Sequence, residues 1–227
     1  FPYTTLFRSR NHEELLHFLQ QFLRGPRCRK ALLAGLHSTD RRVQRHAFNL
    51  LLGAPEADVR QIVLEGLRSS DMLVRVWAAR TARRQLYGRD LVEALGQARR
   101  DRAMPVRMEA VYAFVDDHPE LQALLLDPCK SIRETVRFYI RKNANLDFAA
   151  LYRNALSRAS AAELPIVLLS LGETGKQSDA EHLAPYAGHS QIRVRKAALR
   201  ALGEVCGEEH IAILCEAMHD RQPGVVR

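Results

Sequence analysis

Apolar residues recur along this chain at positions 0, +4, +7 and +8 from a series of anchors, with charged and polar residues between them. Val43, Ala47, Leu50 and Leu51 show the pattern near the start, and Val194, Ala198, Ala201 and Leu202 show it near the end. Such spacing gathers the apolar side chains on one stripe of a helix. The same frame fits at Val43, Val74, Val106, Ile132, Leu164, Val194 and Val226, with intervals of 31, 32, 26, 32, 30 and 32 residues. Five of the six agree within two residues, which marks an internal repeat of about 31 residues. The short interval points to a trimmed unit around Asp116 to Pro119.

Between anchors lie second amphipathic segments: Ala31–Leu36, Val59–Leu67, Leu91–Ala98, Leu121–Leu126, Phe148–Ala159, Glu181–Ala187 and Ile211–Met218. Every unit therefore reads as helix, turn, helix. Gly53, Gly88, Gly172, Gly175, Gly188 and Gly207, with Pro55 and Pro119, are expected to mark the turns. Strand signals are missing, since no Asn-Gly or Asp-Gly pair separates alternating apolar runs. A helical pair this small cannot cover its own apolar stripe, so neighbouring pairs must stack. The expected fold is all-α, a right-handed α-solenoid of about six to seven helix-turn-helix repeats over residues 10–227. Residues 1–9 (FPYTTLFRS) fall outside the repeat and read as a non-native or disordered leader. HEELLHFLQQFL (12–23) looks like a second helix without its partner, and Arg227 falls at the start of a helix, so truncation at both ends is expected.

The frame of Asp, Val-Arg and Ala is most explicit in DMLVRVWAA, DRAMPVRMEA and IRVRKAALRALGE. It resembles the short HEAT-like repeats also found in bilin-lyase-type proteins. Tetratricopeptide and ankyrin patterns fit worse, because neither signature occurs. The resemblance implies that Asp101 with Arg107, and Asp127 with Arg133, form a structural ladder across the turns, in which Arg75 and Arg195 occupy the equivalent frame position. It is specific for fold and poor evidence for function. Deoxyhypusine hydroxylase, a di-iron HEAT protein, has repeated His-Glu pairs; the matching positions here read Arg45-His46-Ala47 and Arg195-Lys196-Ala197, so that activity is not expected.

Charge changes the picture in one respect. Residues 1–150 hold 25 Lys+Arg against 17 Asp+Glu, while residues 151–227 hold nine of each. The stretch 24–107 alone carries 18 basic against 8 acidic residues. A phosphate backbone is one partner such a balance suits, which keeps nucleic-acid binding as an alternative reading. Aromatics make up only 7% of the chain, however, and no nucleic-acid-recognition motif occurs. The four cysteines form no CxxC or paired framework and suit a reducing, cytoplasmic setting; a bacterial source is expected as well. No apolar run approaches the roughly 18 residues of a membrane span.

Candidate chemistry is sparse. GxSxG, glycine-rich phosphate loops and HExxH are absent, and no cofactor is expected. Cys206 with His210 and Cys215 with His219 are spaced by four, but Gly207 breaks the first pair and no metal site is assigned. More informative are positions +2, +5, +6 and +9 from the anchors, which point away from the apolar stripe. They supply the candidate concave binding surface: Arg45, Phe48, Arg80, Arg83, Tyr112, Arg137, Phe138 and Arg141. Arginines interleaved with aromatic rings suit a protein or peptide partner, acidic and with hydrophobic anchors. The sequence therefore predicts a non-catalytic interaction scaffold that binds a partner peptide or helix along its concave face. Nucleic-acid binding through residues 24–107 and a bilin-lyase-like accessory role are the alternatives.

Overall fold

The computed structural model describes residues 25–54, 57–115, 118–205 and 207–220. Expectations for residues 1–9 and 12–23, for Cys206 and for the last anchor, Val226, lie outside them. The described residues contain no strand. The chain divides into two compact units, Phe1–Ala113 and Phe114–Arg227.

Among the described residues the first unit contains three helical hairpins: α1 (Pro26–Gly35) with α2 (Arg41–Gly53), α3 (Val59–Leu67) with α4 (Met72–Gln85), and α5 (Gly88–Ala98) with α6 (Met104–Ala113). The second contains α7 (His118–Gln122) with α8 (Lys130–Asn143), α9 (Phe148–Leu156) with α10 (Leu164–Thr174), α11 (Ala180–Leu183) with α12 (Ile192–Val205), and a further helix, α13 (Ile211–Ala217). Within each unit, hairpins stack on their neighbours: α4 packs on α6 in the first, and α10 on α12 in the second. This is the all-α, α-solenoid class of fold.

The repeated Asp explains where many of these helices begin. Asp40, Asp58, Asp71 and Asp147 are N-caps whose carboxylates accept from the backbone N–H of Arg42 (2.8 Å), Gln61 (3.0 Å), Leu73 (2.7 Å) and Ala150 (3.0 Å). Each satisfies a donor that the first helical turn leaves without an intrahelical partner. Pro26 and Pro165 open α1 and α10, where a missing N–H does no harm.

The apolar stripe is buried as the period predicts. Val74, Ala78 and Ala82 of α4, Val106 and Ala110 of α6, Ile132, Val136 and Ile140 of α8, and Val194, Ala198, Ala201 and Leu202 of α12 all lie in the core. Four local differences appear. In α2 the buried face is turned by one residue: Gln44, Ala47, Phe48 and Leu51 are covered, while the anchor Val43 is 44% exposed. The segment expected at Leu121–Leu126 is helical only to Gln122 and continues as turns, which is the form the short 26-residue interval takes. Pro185 cannot donate to an α-helical ladder, so Glu181–Ala187 splits into α11 and a 3-10 turn, Ala184–Tyr186.

Gly172 is no turn residue but lies buried inside α10. A side chain there would place its Cβ 2.6 Å from the Ala201 Cα, so glycine is what lets α12 approach. Gly88 does serve a turn, with φ of +53° where α5 begins.

Candidate interaction surface

The turn between paired helices is where charged side chains first come together. At Val74, Val106, Ile132 and Val194 the residue at +1 is an arginine that bends back under the turn. Arg75 Nη1 donates to the carbonyls of Ser69 (3.0 Å) and Ser70 (3.1 Å), and Arg107 Nη1 to those of Asp101 (2.8 Å) and Arg102 (3.2 Å). Arg133 Nη1 donates to Asp127 O (2.6 Å), and Arg195 Nη1 to His189 O (2.8 Å) and Ser190 O (3.1 Å). In every case the guanidinium satisfies carbonyl oxygens that the turn leaves without a helical donor. Gln44 holds the equivalent place in α2 and donates to Ser38 O and to Ser70 Oγ (2.8 Å). That task explains why it is buried where other repeats carry arginine.

The expected pairing inside each turn is thereby corrected in detail. The six-residue contact of Arg107 with Asp101, and of Arg133 with Asp127, runs to the backbone carbonyl. The carboxylates do other work: Asp101 accepts from Ala103 N (2.7 Å) and Asp127 from Cys129 N (2.8 Å). Asp101 also receives Arg75 through Nε (2.6 Å) and Nη2 (3.2 Å). This rung joins consecutive repeats, and a 26-residue Arg to Asp separation reproduces it. Arg45 meets Asp71 (3.0 and 2.8 Å), and Arg153 meets Asp179 (2.5 Å). Arg195 meets Asp220 at a separation of 25 (2.9 and 3.3 Å).

Burial raises the pKa of the Asp71 carboxyl, but the Arg45 hydrogen bond and the N–H groups of Leu73 and Val74 outweigh it. The net result lies below the ordinary Asp value. Asp179 behaves alike: desolvation pushes up, while Lys176 N–H and Arg153 pull further down.

Glu109 and Glu173 are carboxylates that the sequence pattern does not single out. Glu109 of α6 receives Arg80 at 2.7 Å and Arg83 at 3.3 Å. Glu173 of α10 receives Arg133 on both oxygens, Nη2 on Oε1 and Nε on Oε2 (3.2 Å), and Arg137 Nη2 shares Oε2 at 2.9 Å. Arg133 and Arg137 side chains are only 2% and 5% exposed, and Glu173 is 6% exposed. Arg137 Nη1 and Ser170 Oγ are buried without a hydrogen-bond partner.

The eight residues expected on one open surface therefore separate. Phe48 is 1% exposed; it stacks on Trp77 with ring centroids 6.5 Å apart, and Gly66 makes room beside it. Position +5 lies at the border of the stripe, and in α2 the turned face draws it inside. Arg137 is likewise interior, held by Glu173. Arg45, Arg80 and Arg83 reach the surface but are ion-paired.

Tyr112, Phe138 and Arg141 are the three that stay open. The Arg83 guanidinium carbon sits 5.9 Å from the centre of the Tyr112 ring. Phe138 is 54% exposed and meets Tyr139 edge-on at 5.3 Å. Arg141 lies over the Phe148 ring at 5.2 Å, and Lys142, absent from the sequence-based selection, lies 4.7 Å over Phe138 and 5.6 Å over Tyr139.

Among the described residues, no cluster of three or more His, Cys, Asp or Glu could hold a metal ion. His219 Nδ1 lies 3.3 Å from the backbone oxygen of Cys215, one turn earlier. A cleft of about 820 Å³ in the second unit is lined by Ile192, Leu199, Ile213 and Glu216 around the Arg195–Asp220 pair. No described helix is long and apolar enough to cross a membrane.

Residues 150–227 match the family model for HEAT repeats, and helical hairpins of the same frame continue through both units. The matched segment, about a third of the chain, is similar to HEAT repeats. HEAT repeats generally serve as protein-interaction scaffolds. No curated protein matches this chain.

Proposed function

We propose that this HEAT-like chain is a non-catalytic scaffold that binds a partner peptide or helix through outward-facing positions of its repeat helices. The observation that supports this most directly is the division of labour among its arginines. Those at the turns and in the core are consumed by carbonyls and carboxylates, while aromatic rings with a cation over them stay on the surface at Tyr112 and Phe138. Rigid rings whose ordering is already complete make efficient contacts. A reducing cytoplasm suits the reading, since the described cysteines Cys28, Cys129 and Cys215 are all free thiols.

Nucleic-acid binding through residues 24–107 draws less support. Arg45, Arg60, Arg68, Arg75, Arg80 and Arg83 are all in ion pairs, and the Trp77 ring is stacked on Phe48 in place of a base. Nothing in the described residues favours the bilin-lyase-like alternative.

A photo-crosslinking amino acid at Tyr112, at Phe138 and, as a control, at the exposed Met218 tests the proposal. Protein adducts from the first two positions and not the third are expected. Adducts that form equally at all three, or only with nucleic acid, would overturn it.

A further inference from the structure

We infer that the last turn of α8 is the docking centre, and that its partner is an acidic peptide segment carrying an apolar side chain flanked by Asp or Glu. This rests on the scaffold reading above and gives it a place and a chemistry. Phe138 is a large apolar ring more than half exposed in a helix otherwise rich in charge. It is held in place, since Tyr139 supports its edge and the Lys142 ammonium lies over its face. Arg141 is fixed in the same way over Phe148. Neither cation has a carboxylate within 4.0 Å among the described residues, in contrast to Lys130 at the other end of the helix, which faces Glu134 at 3.9 Å.

The partial negative charge at a helix C-terminus amounts to roughly half an elementary charge, so two full cations leave a local positive excess. Consecutive residues diverge by about 100° around a helix, which sends Arg141 and Lys142 to different sides. An incoming chain can then place an apolar side chain on Phe138 and a carboxylate on either flank. Arg takes a carboxylate bidentately, and Lys takes one as a point charge.

A carboxylate-bearing peptide fits better than a polynucleotide. Residues 114–227 carry 14 Lys+Arg against 15 Asp+Glu, so this unit has no net positive charge with which to attract a polynucleotide. Phosphate-backbone binding depends on neutralising many charges in a row.

The test uses fluorescence anisotropy of the full chain with three labelled probes. One is a twelve-residue peptide with Phe and Leu flanked by Glu, one is the same peptide with Lys for Glu, and one is a twelve-nucleotide uridine RNA. The acidic peptide should bind the unaltered protein best. Phe138→Ala, Lys142→Glu and the double change Arg141→Glu with Lys142→Glu should each weaken it, the first and last by at least about tenfold. Circular-dichroism melting should stay unchanged for Phe138→Ala, which removes an exposed ring. The charge-reversed protein should gain affinity for the Lys peptide, a result that simple loss of structure cannot produce.

If the acidic peptide binds all forms equally, the scaffold reading stands and this assignment falls. A preference for RNA overturns the assignment in favour of a nucleic-acid surface. Failure of every peptide to bind the unaltered protein would sink the scaffold reading with it.

Discussion

Replacing Glu173 with Gln should destabilise the second unit more than any other single polar change there. Glu173 is the carboxylate shared by Arg133 and Arg137, and all three side chains are more than nine-tenths buried. The amide that replaces it carries no charge and turns one of its two acceptors into a donor facing a guanidinium. Breaking a buried ion pair from one side costs about 3–5 kcal/mol, because the remaining charge stays desolvated without compensation. With an m-value of roughly 2 kcal/mol/M, the urea midpoint should fall by about 2 M.

Trp77, the single tryptophan, lies in α4 of the first unit and provides an internal control. The loss should be larger by far-UV circular dichroism than by Trp77 fluorescence. Arg137→Met sharpens the test. Arg137 already has one buried nitrogen without a partner, and its removal leaves Arg133 and Glu173 matched one to one. It should therefore cost clearly less than Glu173→Gln. A loss below about 1 kcal/mol for Glu173→Gln, or an equal loss for the two variants, would refute the reasoning.

Asp71→Asn should cost about 1.5–3 kcal/mol near neutral pH, as a buried charge-assisted pair with Arg45 is lost. Asp71 has a folded pKa below its unfolded value, so its stabilisation is present above the ordinary Asp pKa of about 3.9 and disappears as pH falls through the lower, folded one. Urea titrations of both proteins should differ by a constant amount above about pH 5, and the gap should close only as pH falls below the ordinary Asp value and through the lower, folded one. Gly172→Val should cost at least about 1–3 kcal/mol, because its Cβ would meet Ala201 backbone and not a side chain that can swing away. Hydrogen exchange in α10 and α12 should rise together, and unchanged protection there would contradict the close approach.

The repeat frame was readable because burial follows a period that local spacing reveals, as Val74, Ala78 and Ala82 or Val194, Ala198 and Leu202 illustrate. The frame Asp was readable for the same reason, since a helix start fixes where a capping carboxylate must stand. The arginine partners were harder. Glu109 sits off the frame, Glu173 holds an outward +9 position, and their partners lie 26 to 40 residues away, so only packing brings them together. The 26-residue spacing of Arg45, Arg75 and Arg153 to Asp71, Asp101 and Asp179 was present in the sequence and could have exposed these rungs. Phe48 and Arg137 were misplaced on the open face because a helical wheel assigns direction and not depth. A border position turns inward wherever the neighbouring helix leaves room, as Gly66 does beside Phe48. Gln44 shows the converse: a polar residue is interior because the turn carbonyl it satisfies is interior.

Recognition through the open aromatic and cationic residues at the end of α8 can be measured directly. Hydrogen-exchange mass spectrometry of the full chain, with and without the acidic peptide in saturating amount, measures this without any substitution. Slowed exchange confined to amides around Phe138 to Phe148, with the already protected interior of α10 unchanged, is the predicted result. Protection that appears elsewhere, or nowhere, would contradict it.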